Sequence, residues 1–119
     1  MISIVDDDEC ARAAMKGLVR SLGYAVATYS SAEDFLNSGD INGTSCLITD
    51  LHLPGLSGVE LHRRLLADGF AVPTIVVTGL ADERTRSRVL GAGAVGFLSK
   101  PFGRKSLSDC LKTVCPYCP

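Results

Sequence analysis

Five short apolar runs constrain this chain more than any other feature. They occupy residues 2–5 (Ile-Ser-Ile-Val), 24–29 with a centre at 25–28, 45–49 (Ser-Cys-Leu-Ile-Thr), 74–77 (Thr-Ile-Val-Val) and 95–98 (Val-Gly-Phe-Leu). Each is too short for a stable helix and is bounded by turn residues, so each predicts a strand. Segments with helical spacing lie between them. Ala11, Ala14, Met15, Leu18, Val19 and Leu22 stripe residues 10–22, and Gly23 ends that helix. Ser30-Ser31-Ala32-Glu33 reads as a capping box for a short helix to about Asn37, followed by a polar loop at 39–43. Ser57-Gly58-Val59-Glu60 opens a third helix with Val59, Leu61, Leu65 and Leu66 as its apolar members, closed by Gly69. A polar helix follows at about 82–92. The last, about 103–114, carries Leu107, Cys110, Leu111 and Val114 on one face.

Five strands alternating with five helices predict a parallel sheet with helices on both faces, an α/β three-layer domain. Strands 1, 3 and 4 are continuous apolar runs, as expected when both faces are covered, whereas residues 24–29 alternate like an edge strand. Right-handed crossovers restrict the topology. The expected one is the flavodoxin-like order 2-1-3-4-5, with a switch point between strands 1 and 3.

At 119 residues the chain is long enough for one domain and too short for two. It is 46% hydrophobic and 21% charged, which supports a full core. A net charge of −1 argues against a general nucleic-acid surface. No apolar run reaches the length of a membrane span. The start, Met1-Ile2-Ser3-Ile4-Val5, runs straight into Asp6, unlike a signal peptide, so a cytoplasmic protein is expected. Cys10, Cys46 and Cys110 fall inside helix or strand patterns and read as small apolar residues.

The polar residues that end the strands carry the chemistry. Strand 1 ends at Asp6-Asp7, strand 3 at Asp50, strand 4 at Thr78 and strand 5 at Lys100. In this topology all five gather at one sheet edge, where open α/β sheets place their sites. After Asp50, Leu53-Pro54-Gly55 marks a turn and Ser57 a helix start. Three carboxylates this close repel unless a cation joins them. A hard divalent ion with oxygen ligands suits them, and Mg²⁺ fits a site with few carboxylates. Lys100 and Thr78 would cradle an anion beside Asp50. A carboxylate, a metal and a lysine are the minimum apparatus for an aspartyl-phosphate.

In this order and spacing, the acidic pair, the Asp with its Pro-Gly turn and Ser-Gly, Val-Val-Thr-Gly and Lys-Pro-Phe resemble the receiver domain of the two-component response-regulator family. The resemblance spans residues 1–114 and leaves a tail at 115–119. It is strongest to receivers attached to helix-turn-helix transcription domains. It implies that Asp50 accepts phosphate from a phosphohistidine on a sensor histidine kinase. It implies Mg²⁺ held by Asp7 directly, Asp6 through water, Asp50, and the backbone carbonyl of His52. Thr78 and Lys100 would each bind a phosphoryl oxygen. The Lys100–Pro101 bond would be cis, the one place where cis is cheap. Phe97 matches the family's switch aromatic, with a core phenylalanine as the plain alternative. The face formed by residues 82–92, 95–98 and 103–114 would dimerise or engage an output module, such as a DNA-binding domain absent from this chain. Such a domain is a signalling switch that catalyses at most its own phosphoryl transfer and dephosphorylation.

A scaffold that binds without phosphorylation is the alternative, but it need not keep all five site residues. His52 and Leu80 occupy variable flanking positions, and Leu53 stands where methionine is commoner. Arg84, Arg86 and Arg88 make the fourth helix polar and suit loose packing or a partner. Cys115-Pro116-Tyr117-Cys118 spells a redox motif, but no helix follows to lower a thiol pKa. His62 is expected to face solvent. Asp50-Leu51-His52 lacks the second Asp of haloacid-dehalogenase-type phosphatases.

Overall fold

Each strand run folds as a strand, within one or two residues of its expected bounds. The structure is a computed structural model that describes residues 1–79, 82–100 and 102–114. In chain order the elements are β1 (Ile2–Val5), α1 (Glu9–Ser21), β2 (Val26–Tyr29), α2 (Ala32–Asn37), a 3₁₀ turn (Ile41–Gly43), β3 (Cys46–Asp50), α3 (Gly58–Ala67), β4 (Thr74–Thr78), α4 (Glu83–Gly91), β5 (Gly96–Ser99) and α5 (Arg104–Val114). The expected polar loop at 39–43 contains that 3₁₀ turn. Lys100 lies inside the described residues; Leu80, Pro101 and the 115–119 tail lie outside them.

The strands form one parallel sheet in the order β2-β1-β3-β4-β5, as expected. Chain direction across the sheet reverses between β1 and β3, which opens a crevice beyond their carboxyl ends. The register pairs Val5 with Thr49 and Asp50 with Val77, so those strand ends lie level.

Alternation along the strands divides the core. Ile2, Ile4, Cys46, Ile48, Ile75 and Val77 pack on one face with Met15 and Val19 of α1 and Leu107 and Leu111 of α5. Val5 and Leu47 turn to the other face, against Phe35 of α2 and Leu61 and Leu65 of α3. Neighbouring residues such as Leu47 and Ile48 serve opposite layers because side chains alternate across a strand. All five residues of β3 and of β4 are buried, while both edge strands are half-exposed.

Several local expectations are corrected. The cap of α2 is Ser31, which accepts from the Asp34 amide, whereas Ser30 donates to the Asp34 carboxylate. Cys10 is exposed in the first turn of α1, since only one stripe of that helix meets the sheet. His62 is buried at 5% exposure and Leu66 is 48% exposed, the reverse of the expected pairing. The inward face of α3 is Gly58, Leu61, His62 and Leu65, spaced i, i+3, i+4, i+7. An imidazole is tolerated there because Thr74 of β4 supplies a partner, with His62 Nδ1 3.0 Å from Thr74 Oγ1. The polar character expected of α4 holds, and Val89 is its one buried residue.

Candidate functional site

Asp50 is the last residue of β3, Thr78 the last of β4, and Lys100 directly follows β5. Asp6 and Asp7 directly follow β1, so the sheet edge gathers all five groups. Oxygens of Asp6, Asp7 and Asp50 lie within 4.8 Å of one another. Asp6 is fully buried, Asp50 nearly so, and Asp7 exposed. Thr78 is fully buried at the end of the strand beside Asp50.

Lys100 ties the cluster together. Its Nζ donates to Asp50 Oδ2 at 2.8 Å and to Asp6 Oδ2 at 3.2 Å. The other oxygens are held by main chain: Asp50 Oδ1 accepts from the His52 amide at 3.0 Å, and Asp6 Oδ1 from the Asp8 amide at 2.9 Å. The Lys100 amide donates to the Thr78 carbonyl at 2.9 Å, which joins the ends of β4 and β5. Burial acts to lower the Lys100 pKa, but its hydrogen bonds and charge interactions with Asp50 and Asp6 outweigh it and raise the net value.

Three carboxylates against one ammonium leave a surplus of negative charge in a partly buried cleft. The donor set is all oxygen, and Asp7 is its exposed member. That chemistry fits a hard divalent cation.

Local sequence builds the cleft walls. Asp8 caps α1 by accepting from the Cys10 and Ala11 amides, which starts the helix immediately beyond the acidic pair. Ser57 caps α3 by accepting from the Glu60 amide. The Gly58 amide donates to the Leu51 carbonyl at 3.0 Å and pins the helix start to the end of β3. A Cβ on Gly58 would lie 2.6 Å from the Asp50 carbonyl oxygen, so this close approach requires glycine. Gly55 takes φ +81° in the intervening turn.

His52 presents its amide to Asp50 and its side chain to solvent. Phe97 on β5 is half-buried against Leu51, Val76 and Val89, beneath α4. The bond to Pro101 lies outside the described residues. Sequence reasoning missed two contributors, Gly58 as a contact residue and Arg12. Arg12 Nη1 donates to the Asp6 main-chain oxygen at 2.8 Å. Nothing local flags it, because the contact bends back across the start of α1.

Known proteins share this fold. Residues 2–112 match the model of the response regulator receiver domain family. The response regulator protein TmoT of Ectopseudomonas mendocina is 36% identical over 119 residues, covering all of this chain and 54% of TmoT. The transcriptional regulatory protein FixJ of Rhizobium meliloti is 40% identical over 101 residues, covering 85% of this chain and 50% of FixJ. The chain thus spans about half the length of these curated relatives. Among solved structures, FixJ-N superposes with TM-score 0.86 at 33% identity, covering 99% of this chain and 94% of that one. The receiver domain of a sensor histidine kinase from Pseudomonas aeruginosa PAO1, with a magnesium ion coordinated in its active-site cleft, gives TM-score 0.82 at 30% identity, covering 94% and 93%. On the match over residues 2–112 and the shared fold, this chain belongs to the response regulator receiver domain family of two-component systems.

Proposed function

We propose that the chain is a phosphorylation-driven switch in which Asp50 is the phosphoacceptor. The observation that carries this reading is the Lys100–Asp50–Asp6 cluster, with the Asp7 carboxylate completing it. An Asp50 carboxylate oxygen attacks the phosphorus of a phosphohistidine on a sensor kinase. The O–P bond forms as the P–N bond breaks, and that electron pair stays with the departing imidazole. Lys100, already at the Asp50 oxygen, moves to a phosphoryl oxygen, and the Thr78 hydroxyl donates to another.

Asp7, Asp50 and the His52 carbonyl would hold Mg²⁺ directly and Asp6 through water. When bound, the ion neutralises charge that builds up during transfer.

Thr78 moving toward a phosphoryl group would draw in its end of β4, and Phe97 could follow into the space released. The packing of α4 supports this response, because Val89 alone anchors it. The face of α4, β5 and α5 would then dimerise or engage an output module. Such a bias need only separate two packings a few kcal/mol apart. The name of FixJ as a transcriptional regulatory protein, and the half-length match, support a DNA-binding output in the full protein. No helix among the described residues is long and apolar enough to cross a membrane, in keeping with a cytoplasmic switch.

The test is labelling by acetyl phosphate with Mg²⁺, read by intact mass. Wild type should gain one phosphoryl group and Asp50→Asn none. A labelled Asp50→Asn protein would refute the assignment, and an unlabelled wild type would favour a binding-only scaffold.

A further inference from the structure

We infer that Arg12 is a positioning residue for the metal cleft, acting on Asp7 through the Asp6–Asp7 peptide. The inference rests on the metal-binding reading above. Arg12 lies in α1, and its Nη1 reaches back to the Asp6 main-chain oxygen at 2.8 Å. That oxygen belongs to the peptide that carries the Asp7 amide. A peptide unit is planar, so holding its oxygen fixes the direction in which the chain enters Asp7. The preceding peptide is fixed independently, because the Asp6 amide donates to the Tyr29 carbonyl at 3.2 Å.

Asp7 depends on such support. Asp6 and Asp50 have each carboxylate oxygen engaged by Lys100 or a main-chain amide. Among the described residues, no hydrogen bond or ion pair holds the exposed Asp7 carboxylate. Its place within 4.8 Å of the other two carboxylates therefore comes from its backbone. Arg12 grips that backbone from the far side of the helix start, and it forms no ion pair of its own among the described residues.

The contact is a single N–H···O bond and not a two-pronged fork. A lysine can replace one donor, although it cannot replace a fork. The test therefore compares R12A with R12K. Mg²⁺ affinity is measured by calorimetry without a phosphodonor, and the Asp7 amide shift by NMR in metal-free protein. Groups that orient metal ligands typically change affinity by about 10–100-fold. R12A should lose about tenfold in Mg²⁺ affinity, the low end because the contact is only partly buried. Its Asp7 amide resonance should move in the metal-free protein. R12K should recover most of the affinity. Wild-type Mg²⁺ affinity in R12A overturns the inference. So does a loss that R12K fails to restore, or one that a lowered urea midpoint accounts for. Labelling of Asp50→Asn would sink the phosphoacceptor reading alone, because the metal titration of R12A decides the role of Arg12 without any phosphodonor.

Discussion

The Lys100 ammonium lies 2.8 Å from the Asp50 carboxylate, across 50 positions of sequence. This contact joins the end of an edge strand to the end of a central one. It also makes Lys100 the cation that lets three carboxylates share the cleft.

Removing that cation should therefore cost stability. Lys100→Ala is expected to lower unfolding free energy at pH 7 by about 1–2 kcal/mol, below the ~1.5–3 kcal/mol of a buried hydrogen bond to a charged group because Lys100 is partly exposed. Added Mg²⁺ should restore part of the loss, and acetyl phosphate labelling of Asp50 should slow. Urea melts with and without Mg²⁺ read the first effect. Equal melts for both proteins would show that the contact is energetically idle. The pH dependence has a definite sign. The folded pKa is raised above its ordinary 10.5, so the stabilisation is complete below that value and fades as pH rises through the folded one. Wild type should lose this increment in strong alkali, and Lys100→Ala should have none to lose.

Gly58→Ala sets helix propensity against contact. Alanine is favoured in helices by about 1 kcal/mol, and overpacking costs about 1–3 kcal/mol. Here the new Cβ would meet the Asp50 carbonyl oxygen at 2.6 Å and the Leu51 Cα at 3.2 Å, both backbone and neither able to swing aside. Contact should win, with a net loss of about 1–2 kcal/mol in a thermal or urea melt. Labelling should also fall as Asp50 shifts. A more stable, fully labelled variant would contradict this packing.

His62 gives the fold an acid-side weakness. The Thr74 hydroxyl spends its hydrogen on the Val72 carbonyl at 3.0 Å, so His62 Nδ1 must be the donor to Thr74. Nε2 is then the bare nitrogen, buried without a partner among the described residues and facing Gly93. Burial lowers the imidazole pKa from 6.5. The neutral ring is favoured in the fold, so its contribution is complete above about 6.5 and is lost as pH falls toward the folded value. Urea midpoints of wild type should drop between pH 7.5 and pH 5 more steeply than those of His62→Leu. Parallel pH profiles would remove His62 from the explanation.

The strand ends were legible because each strand is short, apolar and cut off by polar residues. That pattern placed Asp6, Asp50, Thr78 and Lys100 at one edge before any contact was known. The N-caps of α2 and α3 were legible to within a residue. Ser30 and Ser31 offer the same hydroxyl, and only the backbone turn chose Ser31. His62 was misjudged because helical spacing marks an apolar stripe and leaves its borders open. Cys10 was misjudged for the same reason, on the outer side of α1.

By itself the sequence determined the alternation of strands and helices and the acids, hydroxyl and lysine that terminate the strands. These depend on local hydrophobic period and turn chemistry, which neighbouring residues encode. Only the tertiary structure decided that Lys100 serves both Asp50 and Asp6, that Arg12 reaches the Asp6 carbonyl, and that Thr74 makes the burial of His62 affordable. The cost of burying a polar or charged group is set by the partner it meets, and in each case that partner comes from another part of the fold.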